Sequence, residues 1–146
     1  MFETKSSIFI NRPPQDVFNI IADPAKQSFW QNMTETAEWT SNGFHGVGST
    51  MKVVAKFLGR KIETEVEVTA WEQPHRIEYK FVNGPYPAQV SNTLEPQGEG
   101  TLLTAQSQGE MGGFFKIAEG LAVKQLEKQL TTNFESLKLL MESGQL

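Results

Sequence analysis

Few residues in this 146-residue chain could hold a metal or move a proton. There are two histidines, His45 and His75, and no cysteine. Both histidines stand among turn residues, far apart in sequence, where such a side chain normally faces water. No metal site and no cofactor is therefore expected. Without cysteine, disulfides, thiolate nucleophiles and thiolate metal sites are excluded. The carboxylates fall on wet positions. Glu63, Glu65 and Glu67 alternate with Ile62, Val66 and Val68, so three like charges share one strand face, and the cost of burying charge places them in water. Glu78 alternates with Ile77 and Tyr79 in the same way. No general acid or base stands out.

Gly43-Phe44-His45-Gly46-Val47-Gly48 is glycine-rich but lies between two strand-like segments. A phosphate cradle would open a helix, and the spacing is not G-x-G-x-x-G, so a hairpin loop is the expected role. His45 is the better functional candidate of the two histidines because this loop could border a cavity mouth. No G-x-S-x-G, H-E-x-x-H or Walker pattern occurs, which leaves triad and nucleotide hydrolysis unsupported.

The aromatic residues point elsewhere. Trp30, Trp39, Phe44, Phe57, Tyr79, Phe81, Tyr86, Phe114 and Phe115 fall on core faces or on loops flanking a sheet. Ligand pockets are mostly apolar with a few polar groups that orient the ligand, and Tyr79, Asn92 and Gln125 are polar groups at positions otherwise facing inward. The expected binding set is Trp30, Phe44, Met51, Val53, Tyr79, Phe81, Tyr86, Val90, Asn92, Phe114, Leu121 and Gln125. Plain core packing competes with this role for each aromatic.

The elements that must position these residues are legible from periodicity. Glu3 to Ile10 reads as a strand, closed by Asn11-Arg12-Pro13-Pro14, whose prolines suit the first turn of a helix. Val17, Phe18, Ile20 and Ile21 follow at helical spacing, and Asp23-Pro24 starts a second short helix to about Trp30. Strands come next at Glu35 to Ser41, Met51 to Phe57, Lys61 to Ala70, Arg76 to Phe81, Ala88 to Leu94 and Thr101 to about Ser107, each with period two. Their short turns predict an antiparallel meander. From Gly112-Gly113 to about Met141 the spacing predicts one long proline-free helix. Its apolar face carries Ile117, Leu121, Leu126, Leu130, Phe134, Leu137 and Met141. Gly120 within it costs about 1 kcal/mol against alanine, and either a mild kink or room for a ligand would explain it. Such a helix must bury its apolar face against a curved sheet, and that packing tends to trap a cavity.

Length and totals fit one domain over residues 1–146, of the α+β class, with ordinary apolar content. The net charge of −4, with Lys and Arg interleaved among acids, argues against nucleic acid as a partner. No stretch nears the roughly 18 apolar residues of a membrane span. Met1-Phe2-Glu3-Thr4-Lys5 lacks the basic start and apolar run of a signal peptide, so a cytoplasmic location is expected.

The order of elements resembles the START-like (SRPBCC) helix-grip ligand-binding proteins, especially the bacterial polyketide cyclase/dehydrase family. The resemblance rests on Ile8 to Phe18, on Asp23-Pro24 with Trp30, and on Gly46-Val47-Gly48. Glu72 to Tyr79 and Gly100-Thr101-Leu102-Leu103-Thr104 extend it over nearly the whole chain. It implies a helix-grip fold: a curved seven-stranded antiparallel sheet wrapped around the long C-terminal helix, with two short helices after the first strand and a deep hydrophobic cavity. Members bind lipids, sterols, polyketides, plant hormones or other hydrophobic ligands, and some are cyclases or hydrolases. Catalytic residues differ between branches, and no branch-specific set is present. The iron-ligand cluster of ring-hydroxylating relatives cannot come from two isolated histidines.

The expected function is therefore binding or transport of an apolar small molecule or lipid. One alternative is a cyclase or dehydratase, which would need an inward-facing ionisable group. Another is an interaction module, which would need an exposed apolar patch larger than a few hundred Å². Homodimerisation through an edge strand or exposed loop stays open.

Overall fold

The structure is a computed structural model that describes residues 1–84, 86–112 and 114–146, apart from the side chains of residues 114 and 115. The chain forms β1 (Phe2–Ile10), α1 (Pro14–Ile21), a 3-10 turn (Pro24–Lys26) leading into α2 (Gln27–Trp30), and then β2 (Thr34–Trp39) and β3 (Thr50–Phe57). It continues as β4 (Arg60–Glu72), β5 (Arg76–Asn83), β6 (Ala88–Gln97), β7 (Gly100–Gly109), α3 (Phe114–Ile117) and α4 (Glu119–Glu142). One seven-stranded antiparallel sheet results, in the order β1-β7-β6-β5-β4-β3-β2. Six strands follow in sequence and the first closes beside the last. The two short helices occupy the crossing between the sheet's edges.

Local chemistry explains these boundaries. Pro14 occupies the first turn of α1, where its missing N–H is no loss. The Asp23 carboxylate accepts from the Ala25 N–H at 3.0 Å and starts the 3-10 turn. Leu58 and Gly59, with φ of 51° and 76°, form the two-residue turn that joins β3 to β4 in a hand matching strand twist.

Period two holds along most of the sheet and breaks once with consequence. The register shifts between Val68 and Ala70, so two β4 residues stand against one on β5. A bulge of this kind bends its strand and changes which side chains face inward. Strict alternation from Ile62 would bring Ala70 inward. Instead Trp71 packs edge-on against Phe18, with ring centroids 5.4 Å apart. Glu63 and Glu65 stay exposed and Glu67 half-buried on the opposite face, as the cost of burying charge requires.

The C-terminal helix differs from the expected single rod. It is interrupted at Ala118, whose φ of −106° and ψ of 29° lie off the helical values. Ala122 is buried, while Ile117, before the break, and Leu121, after it, are 91% and 63% exposed. The spacing already carried this signal. A five-residue step from Leu121 to Leu126 rotates Leu121 by about 140° from the apolar stripe, whereas Ala122 lies about 40° from it. Gly120 belongs to the first exposed turn after the break, and a Cβ there would meet nothing within 4 Å, so it makes no room for a ligand.

α4 is seated at both ends. Phe134, Leu137 and Met141 join the main core with Ile10, Val17, Phe18 and Leu103. Ala122 joins a second cluster with Phe2, Phe57, Tyr86 and Met111. Polar contacts fasten the C-terminal end. Glu142 Oε2 accepts from the Asn11 N–H at 2.8 Å and from Lys138 Nζ at 2.7 Å, and the Glu142 carbonyl accepts from Arg12 at 2.9 Å.

The Asn11 N–H, and after it Lys138, hold the Glu142 carboxyl below its ordinary value of 4.5. A carboxyl whose folded value is depressed stabilises the protein above its unfolded value, and that contribution is lost as pH falls through the folded one. Glu142→Gln is therefore expected to flatten the acid limb of stability. Between about pH 6 and about pH 3 its urea midpoint should fall less than that of the unsubstituted chain. Equal falls would show that the contact does not titrate with folding.

Candidate functional site

A cavity of about 230 Å³ lies between the inward face of the sheet and the middle of α4. Alternation brings its walls together: Met51, Val53, Ala55 and Phe57 from β3, Tyr79 and Phe81 from β5, and Val90 and Asn92 from β6. Ala105 and Ser107 of β7 continue the wall toward Phe2 and Thr4 of β1. Trp30 of α2 contributes an end wall and stacks on Phe134 at 6.5 Å between centroids. Leu126, Leu130 and Asn133 close the helix side. The space exists because α4 is held at its two ends, while its middle spans a sheet bent by bulges.

Several polar groups in this wall are hydrogen-bonded within the protein. Thr4 and Ser107 share a hydroxyl hydrogen bond. Asn133 Oδ1 accepts from the Asn32 N–H at 3.0 Å, and the Thr34 hydroxyl donates to Gln31 Oε1 at 2.8 Å. Two donors are different. Trp30 Nε1 and the Tyr79 hydroxyl are buried and have no hydrogen-bond partner among the described residues. Burial alone drives the Tyr79 phenol far above its ordinary value and pushes Tyr86 up to about 12, so both stay neutral near pH 7. Among the described lining residues there is no Asp, Glu, His, Lys or Arg.

Eight of the twelve residues singled out in the sequence line this cavity: Trp30, Met51, Val53, Tyr79, Phe81, Tyr86, Val90 and Asn92. Phe44 does not. It is fully exposed in the loop between β2 and β3, because no apolar element covers that end of the hairpin. Leu121 points to solvent for the helical-phase reason given above. Gln125 is half-buried on α4 but outside the cavity wall. The side chain of Phe114 lies outside the described residues. His45 stacks face-on against Trp39 at 3.9 Å, away from the cavity wall, and His75 is exposed in the turn before β5. Among the described residues no group of three or more His, Asp or Glu could hold a metal.

Several lining residues escaped the sequence reading. Ala105 and Ser107 alternate with Gln106 and Gln108 two places after the buried Leu103, so period two would have found them. Asn133 sits three residues after Leu130 on the same stripe, and its polarity hid it. A wider groove of about 640 Å³ on the other sheet face is bordered by Glu3, Lys5, Glu78, Gln89, Gln106 and Gln108. Its lining residues are mostly polar and half of them are exposed, so it offers no apolar enclosure.

The comparisons with known proteins agree with this fold. The family model described as polyketide cyclase/dehydrase and lipid transport matches residues 1–142. A protein of Thermus thermophilus superposes with a TM-score of 0.85 at 18% identity, covering 98% of this chain and 99% of that one. A conserved protein of Geobacillus kaustophilus gives 0.80 at 19% identity, covering 97% and 96%. A START superfamily protein of Mycobacterium smegmatis gives 0.73 at 15% identity, covering 92% and 98%. At such identities the superpositions speak for the fold. No curated protein matches the sequence. Among the described residues no helix is long and apolar enough to cross a membrane. The match along almost the full length places this chain, with its helix-grip architecture, in the polyketide cyclase/dehydrase and lipid transport family.

Proposed function

We propose that this protein binds an apolar small molecule or lipid in the cavity under α4, as a cytoplasmic binding or carrier protein. The observation that carries the reading is a cavity of about 230 Å³ walled by aromatic and aliphatic side chains. Apolar surface removed from water contributes about 25 cal/mol per Å², so such a wall favours an apolar guest. The family description, which includes lipid transport, supports the same reading.

A cyclase or dehydratase working in this cavity would have only two ionisable groups among the described lining residues, Tyr79 and Tyr86. Both are phenols held neutral, suited to donating a hydrogen bond and poorly suited to removing a proton.

Native mass spectrometry of the freshly purified protein, with thermal-shift measurements against fatty acids, sterols and aromatic polyketides, tests the proposal. A ligand at a hundred times its Kd adds about 2.7 kcal/mol of stability. For a chain of this size that raises Tm by roughly 5–10 °C. A co-purified mass or a shift of that order is the expected result. Flat melting curves with every class, and a bare chain mass, would sink the reading.

A further inference from the structure

The inner side of α4 roofs the cavity, and its outer side carries a pattern of its own. Leu121 and Leu139 are 63% and 70% exposed, and among the described residues they are the only exposed leucines. The step between them is roughly five helical turns, so both lie on one line of the helix surface, about 27 Å apart. Gln125, Lys128, Thr132 and Glu135 continue that line between them, in alternating steps of four and three residues. All four are exposed or half-buried. This is the spacing at which one helix packs lengthwise on another.

The charges on this face are divided by position. Lys116 pairs with Glu119 and Lys138 with Glu142. Lys124, Lys128 and Glu135 are exposed and make no ion pair among the described residues. The free cations stand toward the start of α4 and the free anion toward its end. A face of this kind is complementary to itself when a second copy runs antiparallel. With Leu121 opposite the partner's Leu139, Gln125 stands opposite the partner's Glu135 and Lys128 opposite the partner's Thr132. Lys124 then lies one residue from the position facing the partner's Glu135. Two-fold symmetry repeats each contact, as an isologous interface requires. A parallel pairing would set Lys128 on Lys128 and Glu135 on Glu135.

Other occupants fit less well. Self-pairing of the edge strand β2 about Thr36 and Ala37 would set Glu35 against the partner's Glu38, both exposed. An anionic lipid surface would be repelled by Glu127 and Glu135 on the exposed side of α4.

We propose that the outer face of α4 is the interface of an antiparallel homodimer, with leucine contacts at its two ends and Lys124–Glu135 ion pairs between them. α4 has 24 residues, so the contact is about 36 Å long and one helix wide. That is less than the roughly 800 Å² per partner of a standard stable interface, and the middle of the line is polar. The dimer is therefore weak and reversible.

Sedimentation velocity at low salt, from about 10 μM to about 1 mM chain, tests it. The weight-average mass should rise with concentration toward twice the chain mass, and added salt should weaken the association several-fold. Lys124→Glu and Glu135→Lys should each raise the dimer Kd roughly tenfold, since each turns two attractive pairs into repulsive ones. An equimolar mixture of the two variants should associate about as well as the unsubstituted chain, because both pairs are restored across the interface. The double variant should do the same with itself. Leu139→Ala should weaken the dimer at least about tenfold. These side chains are exposed, so melting curves of the dilute variants should match that of the unsubstituted chain. A monomer at every concentration would overturn the proposal. So would a dimer that Lys124→Glu, Glu135→Lys and Leu139→Ala leave intact, or a mixture that fails to restore association. Should the chain stay monomeric and sediment with phosphatidylglycerol vesicles, this face serves a lipid surface and the dimer is refuted.

Discussion

Leu137→Ala is expected to lower the free energy of unfolding by about 3–5 kcal/mol, the upper part of the range for truncating a buried leucine. Leu137 is 0% exposed and belongs to the main cluster with Ile10, Phe18, Leu94 and Leu103. Neighbours on the sheet and on α1 cannot collapse into the space, because β1 is paired to β7 along its length and α1 is anchored by its own buried face. A loss at the middle of that range would lower Tm by roughly 10 °C for a chain of this size. Urea denaturation measures it, with Leu121→Ala as the control. Leu121 is 63% exposed, so its truncation should change stability by less than about 0.5 kcal/mol. Similar losses at both positions would mean that α4 is seated on a different face from the one described.

That contrast also shows what the sequence could and could not disclose. Strand faces were legible because side chains alternate strictly wherever pairing is regular. Met51, Val53, Tyr79, Phe81, Val90 and Asn92 were placed by that rule and share one wall. The rule failed at the bulge before Ala70, where register depends on the partner strand and no local residue announces the shift. Loop residues failed for a related reason. Phe44 is aromatic and flanks the sheet, but only tertiary packing decides whether a loop folds over a cavity or extends into water. The helix was harder to read than it looked. The five-residue step from Leu121 to Leu126 leaves Leu121 off the apolar stripe, and Ala122 is buried in its place. Least legible were the unpartnered donors of Trp30 and Tyr79. A sequence gives a residue's donors, but only three dimensions show that no acceptor among the described residues pairs with them.

Val90→Trp is expected to weaken binding of a compact apolar probe, naphthalene, at least 100-fold while leaving the fold intact. Val90 pairs with Tyr79 on one side and Ser107 on the other, and all three line the cavity. It stands in the second of four inward positions along β6 and is only half-buried, packed against the margin of the main cluster where it borders the cavity. An indole placed there would enter that space and make contacts its walls presently lack, so the energetic sign is opposite to ordinary overpacking. Stability should change by less than about 1 kcal/mol, or rise. Val68 supplies the comparison. It pairs with Tyr79 from the other side but is 1% exposed within the main cluster. Enlarging it to tryptophan should cost about 1–3 kcal/mol or more, because surrounding side chains must leave their rotamers. Calorimetry for naphthalene and urea denaturation for stability separate the two outcomes. If Val90→Trp is as costly as Val68→Trp, the space beneath α4 is filled by protein in solution and the binding site is lost with it. If Val90→Trp folds normally and still binds naphthalene at full strength, the ligand does not occupy the space beside Val90.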